Sequence, residues 1–281
     1  MGGLRRSGAT SEPVAGYPAL IVRSDEDMLV IADVHIGLGN EFEEKGILIA
    51  DQTGKMVDDL KLLSAHSDHL IIAGDLRHEL IAGNHASVIP AFMSSLLDIY
   101  RRIDIMPGNH DGRIVRMMPQ RVRVHPTAGF SVPGFSFLHG HTWPLPSMMK
   151  ERTLVMGHIH PAVEFADSLD NRYVEKCWFR APMSRRDPTG RYDVLPKEAI
   201  ILPAFNPLLT GTPVNRRGVR GLGPLFRNGL IKGGAGKLYL LDGTFLGTLD
   251  ENKVESPESI RRSRRTDARR TPRTARKTSM V

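Results

Sequence analysis

Five short segments of the 281-residue chain end on residues that can bind cations or move protons. They are Asp33-Val34-His35, Gly74-Asp75, Gly108-Asn109-His110-Asp111, His139-Gly140-His141 and Gly157-His158-Ile159-His160. Carboxylate oxygen, amide oxygen and imidazole nitrogen are the donors that Mn2+, Fe2+, Co2+, Ni2+ and Zn2+ accept. Cysteine is absent from the set, which excludes a structural thiolate zinc site. In an extended Asp-x-His or His-x-His both side chains leave the same face, so one segment supplies two donors. The glycines let the backbone turn sharply and approach a metal closely. Asp33, His35, Asp75, Asn109, His139, His158 and His160 are therefore the candidate metal ligands. Two cations about 3.5–4 Å apart need a bridging carboxylate. Asp75, a single carboxylate between two groups of ligands, is the natural bridge. Such a pair draws charge from phosphate oxygens and acidifies a water for in-line attack at phosphorus. His110, next to a ligand, would serve as acid at the leaving oxygen or stabilise charge there. Asp111 would orient its ring.

These donors need strands that end together. Ala19–Arg23 and Met28–Asp33 are apolar runs around a polar SDED turn, which predicts a hairpin. MLVIAD, HLIIAGD, IDIMPGNHD, FSFLHGH and TLVMGHIH repeat one theme, an apolar strand that stops on ligand-type residues. Between them, Glu41–His66 reads mostly as helix, strongest where Met56, Leu60 and Leu63 recur at helical spacing, and Ala86–Tyr100 reads as a second helix. Alternating strands and helices predict a layered α/β body, with a site beyond the carboxyl ends of its strands. KCWFRAP and AIILPAF read as further short strands, and KLYLLDGTFLGTL as a closing hairpin around Asp242-Gly243.

In this order the D-x-H, G-D, G-N-H-D, H and G-H-x-H blocks resemble the calcineurin-like metallophosphoesterase superfamily, from Met28 to His160. The resemblance implies a βαβ sandwich, two mixed sheets flanked by helices, with ligands at strand ends. It implies one cation on Asp33, His35, Asp75 and His160, and another on Asp75, Asn109, His139 and His158. His110 takes the family's catalytic histidine role. Within the superfamily, Asp33-Val34-His35-Ile36-Gly37 and Gly74-Asp75-Leu76-Arg77-His78 look most like the SbcD-type DNA-repair nucleases. There a second active-site histidine lies three residues after the bridging aspartate, which is His78 here. ILPAFNPLLTGTPVN, from Ile201 to Asn215, is similar to compact SbcD-related archaeal phosphoesterases and to bacterial phosphoesterases associated with DNA ligase in damage response.

The expected organisation is a flexible N-terminus over 1–16, a metallophosphoesterase domain over 17–250, and an Arg-rich tail over 251–281. Within the domain, 161–236 reads as an elaboration of the sheet or a surface lobe. The tail is too poor in apolar residues to offset its ordering entropy, so it should be disordered. From Ser256 to Val281 nine basic residues face two acidic ones, which equals the whole net charge of +7. The rest of the chain is formally neutral. The tail would lend weak, sequence-independent affinity for DNA or RNA. No apolar run reaches the roughly 18 residues of a membrane span. With no secretory leader and only Cys177, the expected compartment is the cytoplasm.

The reading is a hydrolase: a nuclease linked to DNA repair, using two divalent ions, Mn2+ first, with Fe2+, Zn2+ or Ni2+ as alternatives. A neutral body leaves open a nucleotide or another small phosphoester as substrate. A nucleic-acid-binding or assembly protein with a vestigial site is the reading from another class, but no ligand is missing. Asn206 stands either at the site's rim or in a simple turn. Trp143 is either a cleft wall or a packed aromatic. His141 is a neighbour of the ligands or a surface residue.

Overall fold

The computed structural model describes residues 8–50, 52–78, 88–167, 169, 171–217 and 223–255. The arginine-rich segment from 256 onward lies outside the described residues. Strands β1 (Thr10–Pro13), β2 (Leu20–Arg23), β3 (Asp27–Ile31), β4 (His69–Ile72), β5 (Arg102–Ile105) and β6 (Val122–Val124) form one sheet in that spatial order. β1, β2 and β3 pair antiparallel, and β3 through β6 pair parallel. The second sheet contains β7 (Phe130–Val132), β8 (Phe135–Leu138), β9 (Thr153–Met156), β10 (Pro161–Ala166), β11 (Arg172–Pro182), β12 (Glu198–Ile201) and β13 (Thr212–Pro213), with β14 (Lys237–Leu240) and β15 (Phe245–Thr248) attached to β11. It is mixed too, since β8, β9 and β12 run parallel while β11 runs against β12.

Alternation along the strands explains the layers. In β3 and its exit, Met28, Val30 and Ala32 face the second sheet, while Leu29 and Ile31 face the other way. Val155, Trp178 and Ile200 of β9, β11 and β12 answer from across the gap. The outer face of the first sheet is covered by helices α2 (Thr53–Leu63) and α3 (Val88–Ile99), through Met56, Leu60, Leu63, Ile89, Phe92, Met93 and Leu96. Strands buried on both faces read as unbroken apolar runs, which is how MLVIAD, HLII and TLVM look. The result is an α/β sandwich of two mixed sheets, a layered body as the alternation predicts and the sandwich that the resemblance implies.

Two expectations need correction. Glu41–His66 is two helices, α1 (Leu38–Glu44) and α2, separated at Gly46. Gly46, at φ 78°, donates to Glu43 O at 2.8 Å, and Ile47 N donates to Phe42 O at 2.8 Å, a glycine-ended helix stop. Thr10–Pro13 falls inside the stretch expected to be flexible, yet it is β1, paired edge-on with Leu20–Arg23. The described residues within 161–236 extend the second sheet, the first of the two readings of this region. They supply β10 to β13, and β12 lies between β9 and β11 because Ala199 and Ile201 pack in one core and Ile200 in the other. Among the described residues no helix is long and apolar enough to cross a membrane.

One polar cluster sits in the sandwich away from the strand ends that matter below. Asp104 of β5 is fully buried, with His125 Nε2 at 2.5 Å, His69 Nε2 at 2.6 Å and Arg102 Nε at 2.7 Å. Burial works against its ionised form, but His125, His69 and Arg102 outweigh it and hold the carboxyl well below the ordinary range. The stability this contributes is present above the unfolded pKa, about 3.9, and is lost as pH falls toward the lower folded value. Asp104→Ala strands three donors and is expected to cost about 3 kcal/mol at pH 7, read by urea denaturation. A cost under about 0.5 kcal/mol would contradict this account.

Candidate metal centre

The carboxyl ends of β3, β4, β5, β8 and β9 converge, and each delivers its polar residues to one place. Asp33, His35, Asp75 and His160 each offer a donor atom, and these atoms lie within 4.8 Å of one another. Asp75, His139 and His158 form a second such group, so the Asp75 carboxylate belongs to both. Asn109 joins the second group, its Oδ1 3.1 Å from His139 Nε2. Asp33 and His139 are fully buried, and Asp75 and His35 are each 2% exposed.

The local backbone is unusual. Among the described residues six non-glycine residues have positive φ, and five of them are Asp33 (58°), His35 (44°), Asp75 (47°), His158 (73°) and His160 (48°). Left-handed backbone costs a non-glycine residue on the order of 1–2 kcal/mol. The strain is concentrated where donors must turn inward. Gly74 and Gly108 clear the space: a Cβ at Gly74 would lie 2.3 Å from His139 Nδ1, and one at Gly108 would lie 2.0 Å from Asp75 Oδ1.

The donor set fits divalent cations. His35 Nε2 faces His160 Nε2 at 3.3 Å, and His158 Nδ1 faces His139 Nε2 at 3.2 Å. His160 Nε2 lies 3.1 Å from Asp33 Oδ1, and His139 Nε2 3.2 Å from Asp75 Oδ2. Donors held about 2.0–2.2 Å from one ion stand roughly 3 Å apart. Burial holds His35 and His158 down to about 4, so both rings are neutral with a lone pair to give. Burial opposes ionisation of Asp33 and Asp75 too, but His160, His139 and His35 around Asp33, and His139 and the His110 amide at Asp75, keep both carboxylates ionised. Burial also opposes a charged His139, yet Asp75 and Asp33 hold it up at about 9. Two buried carboxylates thus stand against the same ring, a negative charge that a bound cation would balance. His139 Nδ1–H donates to Ala73 O at 3.0 Å, which leaves Nε2 for the centre.

The three residues expected to do chemistry without being ligands are arranged differently from the expectation in two cases. His110 is half-buried, its ring 5.1 Å from that of His35, and its Nδ1–H donates to His78 O. That bond fixes the tautomer and leaves Nε2 for proton transfer. Asp111 does not meet the His110 ring. Its two oxygens accept Leu76 N at 3.2 Å, Arg77 N at 3.1 Å and Gly108 N at 2.8 Å, so it ties the Asp75 turn to the Asn109 turn. Spacing along Gly-Asn-His-Asp could not reveal this, because the turn points successive side chains in different directions. His78 does not face outward as a substrate group. Its Nδ1 lies 3.3 Å from His35 Nδ1 and its Nε2 2.7 Å from Glu41 Oε2, so it orients His35 from behind. His35, His78 and His110 also form a donor group, which shares His35 with the first.

Three further residues hold the site together. Arg77, 4% exposed, donates Nε to His110 O at 2.8 Å and also reaches Gly112 O. Asn206, 2% exposed, donates Nδ2–H to Val34 O at 2.8 Å and His35 O at 3.1 Å, and its Oδ1 accepts Leu208 N. It is thus neither at the rim nor merely a turn residue: it clamps the strained Asp33–His35 turn. Lys176 Nζ in turn donates to Asn206 O at 2.6 Å and Ala204 O at 2.8 Å, and burial presses its ammonium down to about 8 against the pull of Asp33. Only the PAFN motif itself hinted at this. Asn206→Asp keeps the shape but loses both donated bonds. It is expected to weaken Mn2+ binding about 10–100-fold in calorimetric titration. Unchanged affinity would exclude the clamp.

Comparison with protein-family models and with curated proteins gives no match. Among solved structures, the chain is similar to a nuclease MPE from Pseudomonas putida, at 18% identity over 84% of this chain and 100% of that one, with a TM-score of 0.50. The likeness is one of fold. A protein of unknown function from Aquifex aeolicus is 15% identical over 47% of this chain and 78% of that one (TM-score 0.32). A predicted phosphoesterase from Streptococcus pneumoniae is 11% identical over 79% and 92% (TM-score 0.30).

Proposed function

We propose that the chain is a divalent-metal-dependent hydrolase that cuts phosphodiester bonds in nucleic acid, in a role linked to DNA repair. The observation that carries this reading is one carboxylate, Asp75, common to two groups of converging donors. The first group is Asp33, His35, Asp75 and His160, and the second is Asp75, Asn109, His139 and His158. Bound there, two divalent ions, Mn2+ first, would supply charge for the phosphate oxygens and acidify a water. The chain's own residues do the rest. Asn206, Asp111 and Arg77 keep the donor-bearing turns in place. His78, backed by Glu41, orients His35. His110, its Nδ1–H committed to a carbonyl, gives up a proton from Nε2 to the leaving oxygen.

The likeness in fold to the Pseudomonas nuclease, together with the SbcD-like motifs, favours nucleic acid as substrate. The formal neutrality of the chain before its tail favours a second reading, a nucleotide or small phosphoester. Bis-p-nitrophenyl phosphate and labelled single- and double-stranded DNA, each with Mn2+, decide between them, with EDTA and His110→Ala as controls. Cleavage of all of them, lost in EDTA, is the expected result. Cleavage of the small diester alone would move the substrate search to nucleotides, and no cleavage of either with any divalent ion would overturn the enzyme reading.

A further inference from the structure

Outside its tail the chain is neutral in sum, but its charges are not evenly spread. The loop from Ser184 to Tyr192, between β11 and β12, exposes Arg185, Arg186 and Arg191. Helix α4 (Gly223–Arg227) ends on an exposed Arg227. None of these four arginines has an acidic partner among the described residues. Asp187 of the same loop keeps its negative charge while its oxygens accept Thr189 N at 2.7 Å, Arg191 N at 2.7 Å and Tyr192 N at 2.8 Å, so the loop sets three arginines against one aspartate. Asp193 is the exposed carboxylate nearby.

A circuit of contacts joins these arginines to the metal centre. Gly223, which begins α4, abuts it: a Cβ there would lie 2.7 Å from Gly140 O and 3.6 Å from His158 Cδ2. The turn after α4 holds the arginine loop, since Ser184 N donates to Leu230 O at 2.7 Å. At its other end the loop is anchored by Tyr192 Oη, which donates to Pro144 O at 2.8 Å. Arg191 Cζ sits 4.5 Å from the centre of the Trp143 ring. Trp143 itself packs on the core beneath the second sheet. It follows His141 by two residues, so their Cα atoms are no more than about 7.6 Å apart, and the His141 ring is 5.2 Å from that of His139. Arg191 is therefore held in place before any ligand arrives, which lowers the ordering cost of using it.

We propose that this arginine surface, on the His139–His158 side of the centre, carries the phosphate backbone of a nucleic-acid strand into or out of the site. The proposal rests on the nucleic-acid reading above. Guanidinium forks match phosphate geometry. Four of them, spread over a loop and a helix, suit an extended polyanion better than one small phosphate. The contacts are to the backbone, so recognition is independent of sequence.

The test uses the full chain, tail included. In Arg185→Ala/Arg186→Ala/Arg227→Ala the Arg191–Trp143 stack is untouched, and Arg191→Ala is made separately. Binding of a labelled single-stranded oligonucleotide is followed by anisotropy in EDTA across a salt series, and hydrolysis with Mn2+ is followed on the oligonucleotide and on bis-p-nitrophenyl phosphate. The triple variant is expected to raise KM for the oligonucleotide about tenfold and to flatten the log Kd against log salt slope by about 2, at roughly 0.7 per phosphate contact. The small diester should be cut as by wild type. Normal oligonucleotide binding and cleavage by both variants would overturn the surface while leaving the nuclease reading intact. Loss of both activities together would also overturn it, by making these arginines part of the fold or the centre. A wild type that cuts only the small diester would remove the nuclease reading, and this proposal with it.

Discussion

Asp75→Asn is expected to abolish hydrolysis, by about 10^4-fold or more, and to leave the protein folded. The substitution is isosteric, and asparagine is among the few residues that tolerate the left-handed backbone of this position, at φ 47°. Asp75 Oδ1 accepts the His110 amide at 2.9 Å, a bond that the asparagine oxygen can keep. What is lost is Oδ2, which lies 3.2 Å from His139 Nε2 and 3.6 Å from His35 Nε2 and so faces both donor groups. An amide there presents N–H groups to two lone pairs and one less negative charge to two cations. Metal content should drop below two Mn2+ per chain. The rise in melting temperature on adding Mn2+ should shrink, because it reflects binding to the folded state alone. A loss of several kcal/mol in transition-state stabilisation corresponds to the expected fall in rate. Retention of two ions with activity within tenfold of wild type would remove Asp75 from the role of bridge.

The five donor segments were legible because each packs its chemistry into two to four residues at the end of an apolar run. Such a short run, stopped by glycine and polar residues, reads as a buried strand, and strand ends in a layered α/β body share an edge. Residues that act across the chain were not legible. Asn206 lies 171 residues from His35 in sequence, and nothing in PAFN says that its amide closes on Val34 O and His35 O. Asp111 was misjudged for the opposite reason: nearness to His110 in sequence suggested a contact, but the turn aims its carboxylate at Leu76, Arg77 and Gly108. His78 meets His35 and Glu41, and the contact with Glu41 depends on α1, a helix that the sequence does not separate from the next one. The region after Pro161 looked peripheral because its strands are interrupted by Arg- and Pro-rich loops. Its apolar positions nonetheless alternate between two cores, which fixes β11 and β12 inside the sheet.

His110→Ala should keep both cations and lose turnover, about 10^2–10^4-fold on an oligonucleotide. Its ring is not in either group that shares Asp75, and its backbone amide, which donates to Asp75, survives the change. The leaving group then separates two jobs. An oligonucleotide expels a sugar alkoxide, a strong base that needs a proton as the bond breaks. Bis-p-nitrophenyl phosphate expels a nitrophenolate that is stable without one. If Nε2 delivers a proton, the variant should lose much more on the oligonucleotide than on the small diester. If His110 instead stabilises charge on the phosphate, which both substrates develop alike, the two losses should match. The Nδ1–H bond to His78 O favours the first outcome, because it commits one N–H of a charged ring and leaves the Nε2 proton to be given up. Equal losses with two metals retained would assign His110 to charge stabilisation, and a variant that binds one metal would make it a ligand, against the geometry.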